Sequence, residues 1–503
     1  LFPWQKMSLL LAMVTLISAF GSSFQYGYNV SVINSPAPYM QAFYNQTYLD
    51  RNGEPMDSNF QTLLWSLTVS MYPLGGFFGS LLVAPLVNKC GRKGTLLINN
   101  LFSIVAAILM GTSEVAKTFE VIILSRVIMG IYAGLASNVV PMFLGELSPK
   151  NLRGAIGVVP QLFITVGILV AQILGLNSIL GNAEGWPVLL GLTGIPSLIQ
   201  LLILPFFPES PRYLLIQKGN EEQARQALQK LRGWDDVDDE IEEMRQEDRS
   251  EKEEGHFSVL NLCTFRGLRW QLISIIVMMM GQQLSGVNAV SGSRLTHVGK
   301  ASGVTNKVMR FQWVGWGLWS LTLFCLFQVF IVESLGRRIL LLAGFGLCCV
   351  SCAVLTLALN LQVCSWVAQQ GNCLWDFQIC IYLPGPIPFV MITEMFLQSS
   401  RPAAFMVGGS VHWLCNFTVG LVFLYMEAGL GAYSFLIFCA ICLATMIYIF
   451  IIVPETKNKT FMEINRIMAK RNKVEIQAEK EELKDFQTVP GGQAEKEVSS
   501  SQL

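Results

Sequence analysis

Several long apolar runs of the chain carry uncharged polar groups that have no place in lipid. The first holds Gln25, Tyr26, Tyr28 and Asn29. Another holds Gln161, Thr165 and Gln172, of which Gln161 and Gln172 fall on one face of a helix. A third holds Gln282, Gln283, Ser285 and Asn288, with Gly281 and Gly286 placed to interrupt a helix, and a fourth holds Trp413 and Asn416. Polar residues inside a membrane usually face a bundle interior or a water-filled cavity. Carboxamides, hydroxyls and aromatic rings suit a neutral, polyhydroxylated ligand, bound by hydrogen bonds and by stacking on a ring face. They do not suit an ion or a carboxylate. Any one of them also reads as a hydrogen bond between packed helices. The site reading gains because the set recurs in corresponding runs of two similar parts of the chain.

That duplication is written in charged motifs. Asn88-Lys89-Cys90-Gly91-Arg92-Lys93 returns as Glu333-Ser334-Leu335-Gly336-Arg337-Arg338. Glu146 and Arg153 return, at the same spacing, as Glu394 and Arg401, and Pro208-Glu209-Ser210 returns as Pro454-Glu455-Thr456. In each motif the glycine permits a tight reversal between spans, and the basic side chains stay out of lipid at one face. Opposite charges at neighbouring helix ends suggest ion pairs among Arg92, Glu146, Arg153, Arg337, Glu394 and Arg401 that latch this face shut. A surface pair contributes only about 0–1 kcal/mol, but several together bias a two-state rocking equilibrium. The other reading of these charges is topology signalling alone.

The elements that carry these residues are helices. Of 503 residues, 52% are hydrophobic and 14% charged, and the mean hydropathy is +0.47; an average soluble domain is about 25% charged. A span needs about 20 apolar residues. Such runs lie near 7–28, 61–86, 94–113, 119–142, 154–176 and 186–206, and again near 270–290, 313–332, 339–361, 374–393, 403–426 and 432–453. The first is long enough to remain as a span rather than a cleaved signal peptide. This predicts an all-α membrane protein with two six-helix bundles, over 1–206 and 269–456. Between them lies a polar insert, 207–268, and after them a tail, 457–503, that ends without a core-forming pattern. In the insert, Ala224, Ala227, Leu228 and Leu231, then Val237, Ile241 and Met244, keep helical spacing. The insert is either a plate bracing the two halves or a solvated linker.

Lysine and arginine orient the chain. The loops with Lys89, Arg92, Lys93, Lys150, Arg153, Arg337, Arg338 and Arg401 belong on the cytosolic side, with both termini and the insert. The loop 29–60 is then outside, and Asn45-Gln46-Thr47 is a glycosylation sequon on that side. The sequons at Asn29 and Asn416 fall in spans and read as silent.

Other classes of function find no support. A net charge of zero implies no nucleic-acid partner. There are three His and no cluster with metal-ligand spacing, no phosphate-binding loop, and no nucleophile–base set, so neither an enzyme nor a cofactor is expected. The twelve Cys sit mostly in apolar runs as small core residues, with Cys364 and Cys373 as an outer-loop pairing to consider. The first span has no Asp or Glu to couple transport to protons; the one acid away from span ends and loops is Asp376.

Asn88-x-x-Gly-Arg-Lys, Pro208-Glu-Ser-Pro-Arg212, Gln282-Gln-Leu-Ser-Gly-Val-Asn288 and Pro454-Glu-Thr456 closely resemble the motifs of the facilitative glucose transporter family, solute carrier family 2, of the major facilitator superfamily. Phe24-Gln-Tyr-Gly-Tyr28, Gly157-Val-Val-Pro-Gln-Leu-Phe163 and Gly409-Ser-Val-His-Trp413 look most like its fructose-transporting subgroup. The resemblance runs from about residue 7 to 485. It implies a major facilitator fold and uniport of hexose, fructose foremost, across the plasma membrane by a monomeric carrier. Sugar would contact Tyr26, Gln161, Gln282, Gln283, Asn288 and Trp413. Two stretches depart from the family. Ser291 and Gly292 stand where it has paired gating tyrosines, and Cys380 stands where it has a histidine, so 291–312 and 362–383 differ. The alternatives are a glucose or mixed hexose carrier, in which Phe389 shapes the pocket, and a transport-inactive paralogue or spliced variant.

Overall fold

The computed structural model describes residues 8–254, 268–285, 331–332, 334–360, 385–457 and 459–472. Among these residues the chain is helix joined by turns, without strand. Eight of the described helices are long and apolar enough to cross a membrane. They are α1 (Leu9–Ser31), α4 (Val83–Thr112), α5 (Phe119–Leu147), α6 (Arg153–Leu174), α7 (Trp186–Phe206), α11 (Arg337–Asn360), α13 (Arg401–Leu430) and α14 (Ser434–Ile452). Three further helices follow expected spans: α3 (Ser58–Leu81), as long but less apolar, and the described parts of two more, α10 (Arg269–Gln283) and α12 (Ile387–Met395). The expected span 313–332 lies almost wholly outside the described residues.

Small residues let these helices pack backbone to backbone, as membrane helices do. Gly75 and Gly79 of α3 meet Val127 and Ile131 of α5 so closely that a Cβ on either glycine would strike a carbonyl oxygen. Proline occurs inside α3, α5 and α6 (Pro73, Pro141, Pro160), as membrane-spanning helices tolerate. α1 loosens into a π-helical stretch, Ala19–Phe24, just before Gln25 and Tyr26; such bulges mark places where a helix is re-aimed.

The segment 29–60, expected as a loop, contains a helix, α2 (Ala37–Asn52), closed by Gly53 in the left-handed conformation. A thin stripe, Met40 and Tyr44, is enough to seat it on the bundle. Asn45 therefore lies in a helix, half-buried, and its Oδ1 accepts from the Met56 backbone N–H at 3.0 Å.

The insert contains α8 (Glu221–Arg232) and α9 (Asp238–Glu254). Asn220 caps the first, and Gly233, at φ +80°, ends it. All the stripe residues, from Ala224 to Met244, are buried. The pair is braced on both halves. Arg232 donates to the Leu147 carbonyl at the end of α5 at 2.9 Å, and Lys150 reaches Glu243 at 2.9 Å. On the other side Glu247 accepts the Gln398 backbone N–H at 3.1 Å. The tail opens with α15 (Phe461–Asn472), where Asn465 accepts from Gln271 of α10 at 3.0 Å.

Candidate functional site

Two constellations emerge, one midway along the spans and one at the end where the repeated motifs meet. At the first, Trp413 of α13 is fully buried against the N-terminal half. Its ring lies edge-on to Tyr26 (centroids 5.3 Å apart) and to Tyr72 (5.8 Å). Its indole N–H donates to Ser137 Oγ at 3.3 Å, and Gly76 lies flat beneath it, where a Cβ would come within 2.3 Å of the ring. Beside it His412 packs against Phe389 (5.4 Å) and lies 3.0 Å from Gln283 Nε2. Gln282 donates to the Gly385 carbonyl at 2.6 Å, while its Oε1, though buried, has no hydrogen-bond partner among the described residues. Gln161 is half-buried on α6, one turn from Gly157, which meets Val390 of α12.

The structure thus brings Tyr26 of the N-terminal half against Trp413, which adjoins the His412–Gln283 pair, with Gln282 next in sequence bonded to Gly385 and Gln161 on a helix that meets α12. Asn288 lies outside the described residues, as do the stretches 291–312 and 362–383 and the Cys364–Cys373 pairing. Gly76 of the opposite half takes one face of the Trp413 ring, so its first role is to join the halves. Sequence reasoning passed over His412, Tyr72 and Ser137. The signal for His412 was present, since it is one of only three His and adjoins Trp413. Nothing distinguished Ser137 from other span hydroxyls.

At the second constellation the ion pairs are buried, which corrects the expectation of surface pairs. The side chains of Arg92, Glu146, Arg337, Glu394 and Arg401 are all 0–1% exposed. Glu146 takes Arg92 of its own half at 2.9 Å and Arg401 of the other half at 3.1 Å, and it accepts from Ser210. Glu394 takes Arg337 at 3.1 Å and accepts from Thr456 at 2.5 Å, both in its own half. Arg153 enters no ion pair among the described residues. Its guanidinium stacks 3.8 Å above the Phe461 ring, which also faces Arg401 (4.5 Å) and Arg212 (4.6 Å). These groups are dry because the insert and α15 cover the helix ends from water.

Each repeated turn is built the same way. Gly91 has φ +80° and ψ −178°, a conformation open essentially to glycine alone, and it separates two helical stretches of α4. Gly336 has φ +92°. Glu209 accepts the Lys93 and Ser210 backbone N–H groups, and Glu455 accepts those of Arg337, Arg338, Thr456 and Lys457. A carboxylate thus caps the helix after each glycine, where the dipole favours negative charge. On the insert, burial pushes the Glu243 carboxyl up, but Arg212 and Lys150 outweigh it and hold the group below the ordinary carboxylate value.

The model of a family described as "Sugar (and other) transporter" matches residues 14–468. The chain is 62% identical over 493 residues to the Homo sapiens protein named solute carrier family 2, facilitated glucose transporter member 5, covering 97% of this chain and 98% of that one. It is 54% identical over 486 residues to Homo sapiens facilitated glucose transporter member 7, covering 94% and 93%. Among solved structures it resembles the proton:xylose symporter XylE bound to 6-bromo-6-deoxy-D-glucose, with a TM-score of 0.80 at 21% identity over 91% of this chain and 99% of that one. The inward-open conformation of XylE from E. coli gives a TM-score of 0.65 at 22% identity, covering 91% and 99%. At such identities the likeness is one of fold, and the fold is the major facilitator arrangement.

Proposed function

We propose that this chain, which belongs to the sugar transporter family, carries hexose down its gradient, fructose ahead of glucose, by exposing one midplane site to either side in turn. Membership makes it a multi-pass membrane carrier of sugar and not an enzyme. The preference for fructose rests on the resemblance of its span motifs to the fructose-transporting subgroup. The sugar site comprises Tyr26, Gln161, Gln282, Gln283, Asn288 and Trp413. The carrier works as a monomer in the plasma membrane, with both termini cytosolic and a glycan at Asn45.

The observation that carries this reading is the buried Gln282 Oε1. A buried acceptor left unpaired costs about 1–3 kcal/mol. A sugar hydroxyl donating to it would recover that cost, and the Gln283–His412 pair and the Tyr26 ring lie within the same cluster. No acid occurs in α1, so facilitated diffusion is the simplest drive. Residues Arg92, Glu146, Arg337, Glu394 and Arg401, with Arg153 stacked beside them, close the cytosolic side of the site. One observation speaks for a glucose or mixed hexose carrier: the Phe389 ring, 5.4 Å from His412, narrows the same space.

Counterflow of labelled fructose and glucose in proteoliposomes tests the proposal. Fructose exchange should be present in the wild-type chain and be lost in Gln282→Leu at unchanged melting temperature. Glucose exchange alone would transfer the reading to the second carrier. A folded chain that exchanges neither sugar would refute both.

A further inference from the structure

α11 and α14 pack side by side in the C-terminal half, and each carries a pair of cysteines one helical turn apart, Cys349 and Cys352 on α11 (which also holds the buried Cys348) and Cys439 and Cys442 on α14. Residues three apart share a helix face, so each pair lies along the seam between the two helices. Cys352 and Cys442 are fully buried, whereas Cys349 and Cys439 are half-buried at its edge. The two edge sulfurs are 3.3 Å apart, and the Cys439 thiol also lies 3.4 Å from the Cys349 carbonyl oxygen, to which it donates. The flanking residues Val350 and Ala440 are exposed on the apolar surface of these spans. The pair thus opens toward lipid.

We propose that Cys349 and Cys439 are a modification site: a dithiol that closes to an intramolecular disulfide when a lipid-soluble organic hydroperoxide reaches it. One sulfur attacks the peroxide, the O–O bond breaks, and the alkoxy fragment leaves as an alcohol. The sulfur becomes a sulfenic acid. The second sulfur then attacks the first, the S–O bond breaks, and the hydroxyl leaves with the second thiol proton as water. The two thiols are oxidised by two electrons and the peroxide is reduced to alcohol and water. Bonded sulfurs stand about 2.05 Å apart, so closure needs only a small side-chain movement from the observed separation. Both helices belong to one half, so the bond staples that half internally. It does not cross the interface that Glu146 and Arg401 close, and sugar flux does not depend on it.

The test uses the full chain in proteoliposomes treated with cumene hydroperoxide, followed by alkylation, digestion and mass spectrometry. A dithiothreitol-sensitive peptide joining Cys349 to Cys439 is expected, with loss of alkylation at both. In Cys439→Ser the cross-link should vanish and Cys349 should be captured as a dimedone adduct. Full alkylation of both thiols after a treatment that oxidises Cys90 would overturn the proposal. So would over-oxidation of Cys349 beside an intact Cys439, or a cross-link between two chains.

Discussion

In the N-terminal half Glu146 holds Arg92, Ser210 and, from the opposite half, Arg401. In the C-terminal half Glu394 holds Arg337 and Thr456, and Arg153, the repeat of Arg401, rests on the Phe461 ring instead. The turns that feed these clusters are the same in both halves, down to the glycine and the capping glutamate. Duplication has therefore kept the frame of each half and let the cross-half contacts diverge. One acid makes a direct ion pair across the halves, while its twin pairs within its own bundle and reaches Arg153 of the other half only through the longer-range attraction of their charges. Direct ion pairing between the halves at this end is then concentrated at Glu146 rather than shared between two equal pairs.

Glu146→Gln should have the largest effect. It removes the charge opposite two buried guanidinium groups, and losing one partner of a buried pair costs about 3–5 kcal/mol. A cysteine placed between the halves, at the end where the repeated motifs meet, should become readily alkylated in this variant. Glu394→Gln should lower the melting temperature but leave that alkylation slow; equal alkylation in the two variants would abolish the asymmetry. Phe461→Ala comes next. It strips the ring from three guanidinium groups, at about 1–2 kcal/mol for a desolvated cation–π contact, and should speed the same alkylation. Gly91→Ala and Gly336→Ala should each cost about 1–3 kcal/mol through backbone strain, read as a fall in melting temperature with alkylation unchanged. Glu209→Gln and Glu455→Gln should cost least, about 0.3–1 kcal/mol each for a charge at a helix N-terminus. Glu455 should be the more costly of the two, because it caps more backbone donors.

The positions of these charged residues were legible because a repeat exposes them: Glu146 and Glu394 sit at equal sequence distances from their arginines. The partners were not legible. A repeat says which residues correspond, but not that Arg401 leans across to Glu146 while Arg153 turns to a ring in the tail. Burial was hidden too, since the residues that dry the site, on α9 and α15, are far away in sequence. In the midplane cluster the amides stood out as polar groups in apolar runs. Trp413 was found for its ring, yet its seat on Gly76 depends on a contact between halves that no local pattern encodes. The helix α2 was missed because one shallow apolar stripe on a polar segment looks the same as a loop.

The indole of Trp413 resting on Gly76 has a mechanical consequence. It is a flat plate of one half lying on a bare patch of the other, with no side chain between them. Such a joint can tilt and slide while staying in contact. A movement that swings the two ends of the molecule apart by many ångströms shifts the parts near this bearing least. Whatever is held beside it can keep its grip while the way in becomes the way out.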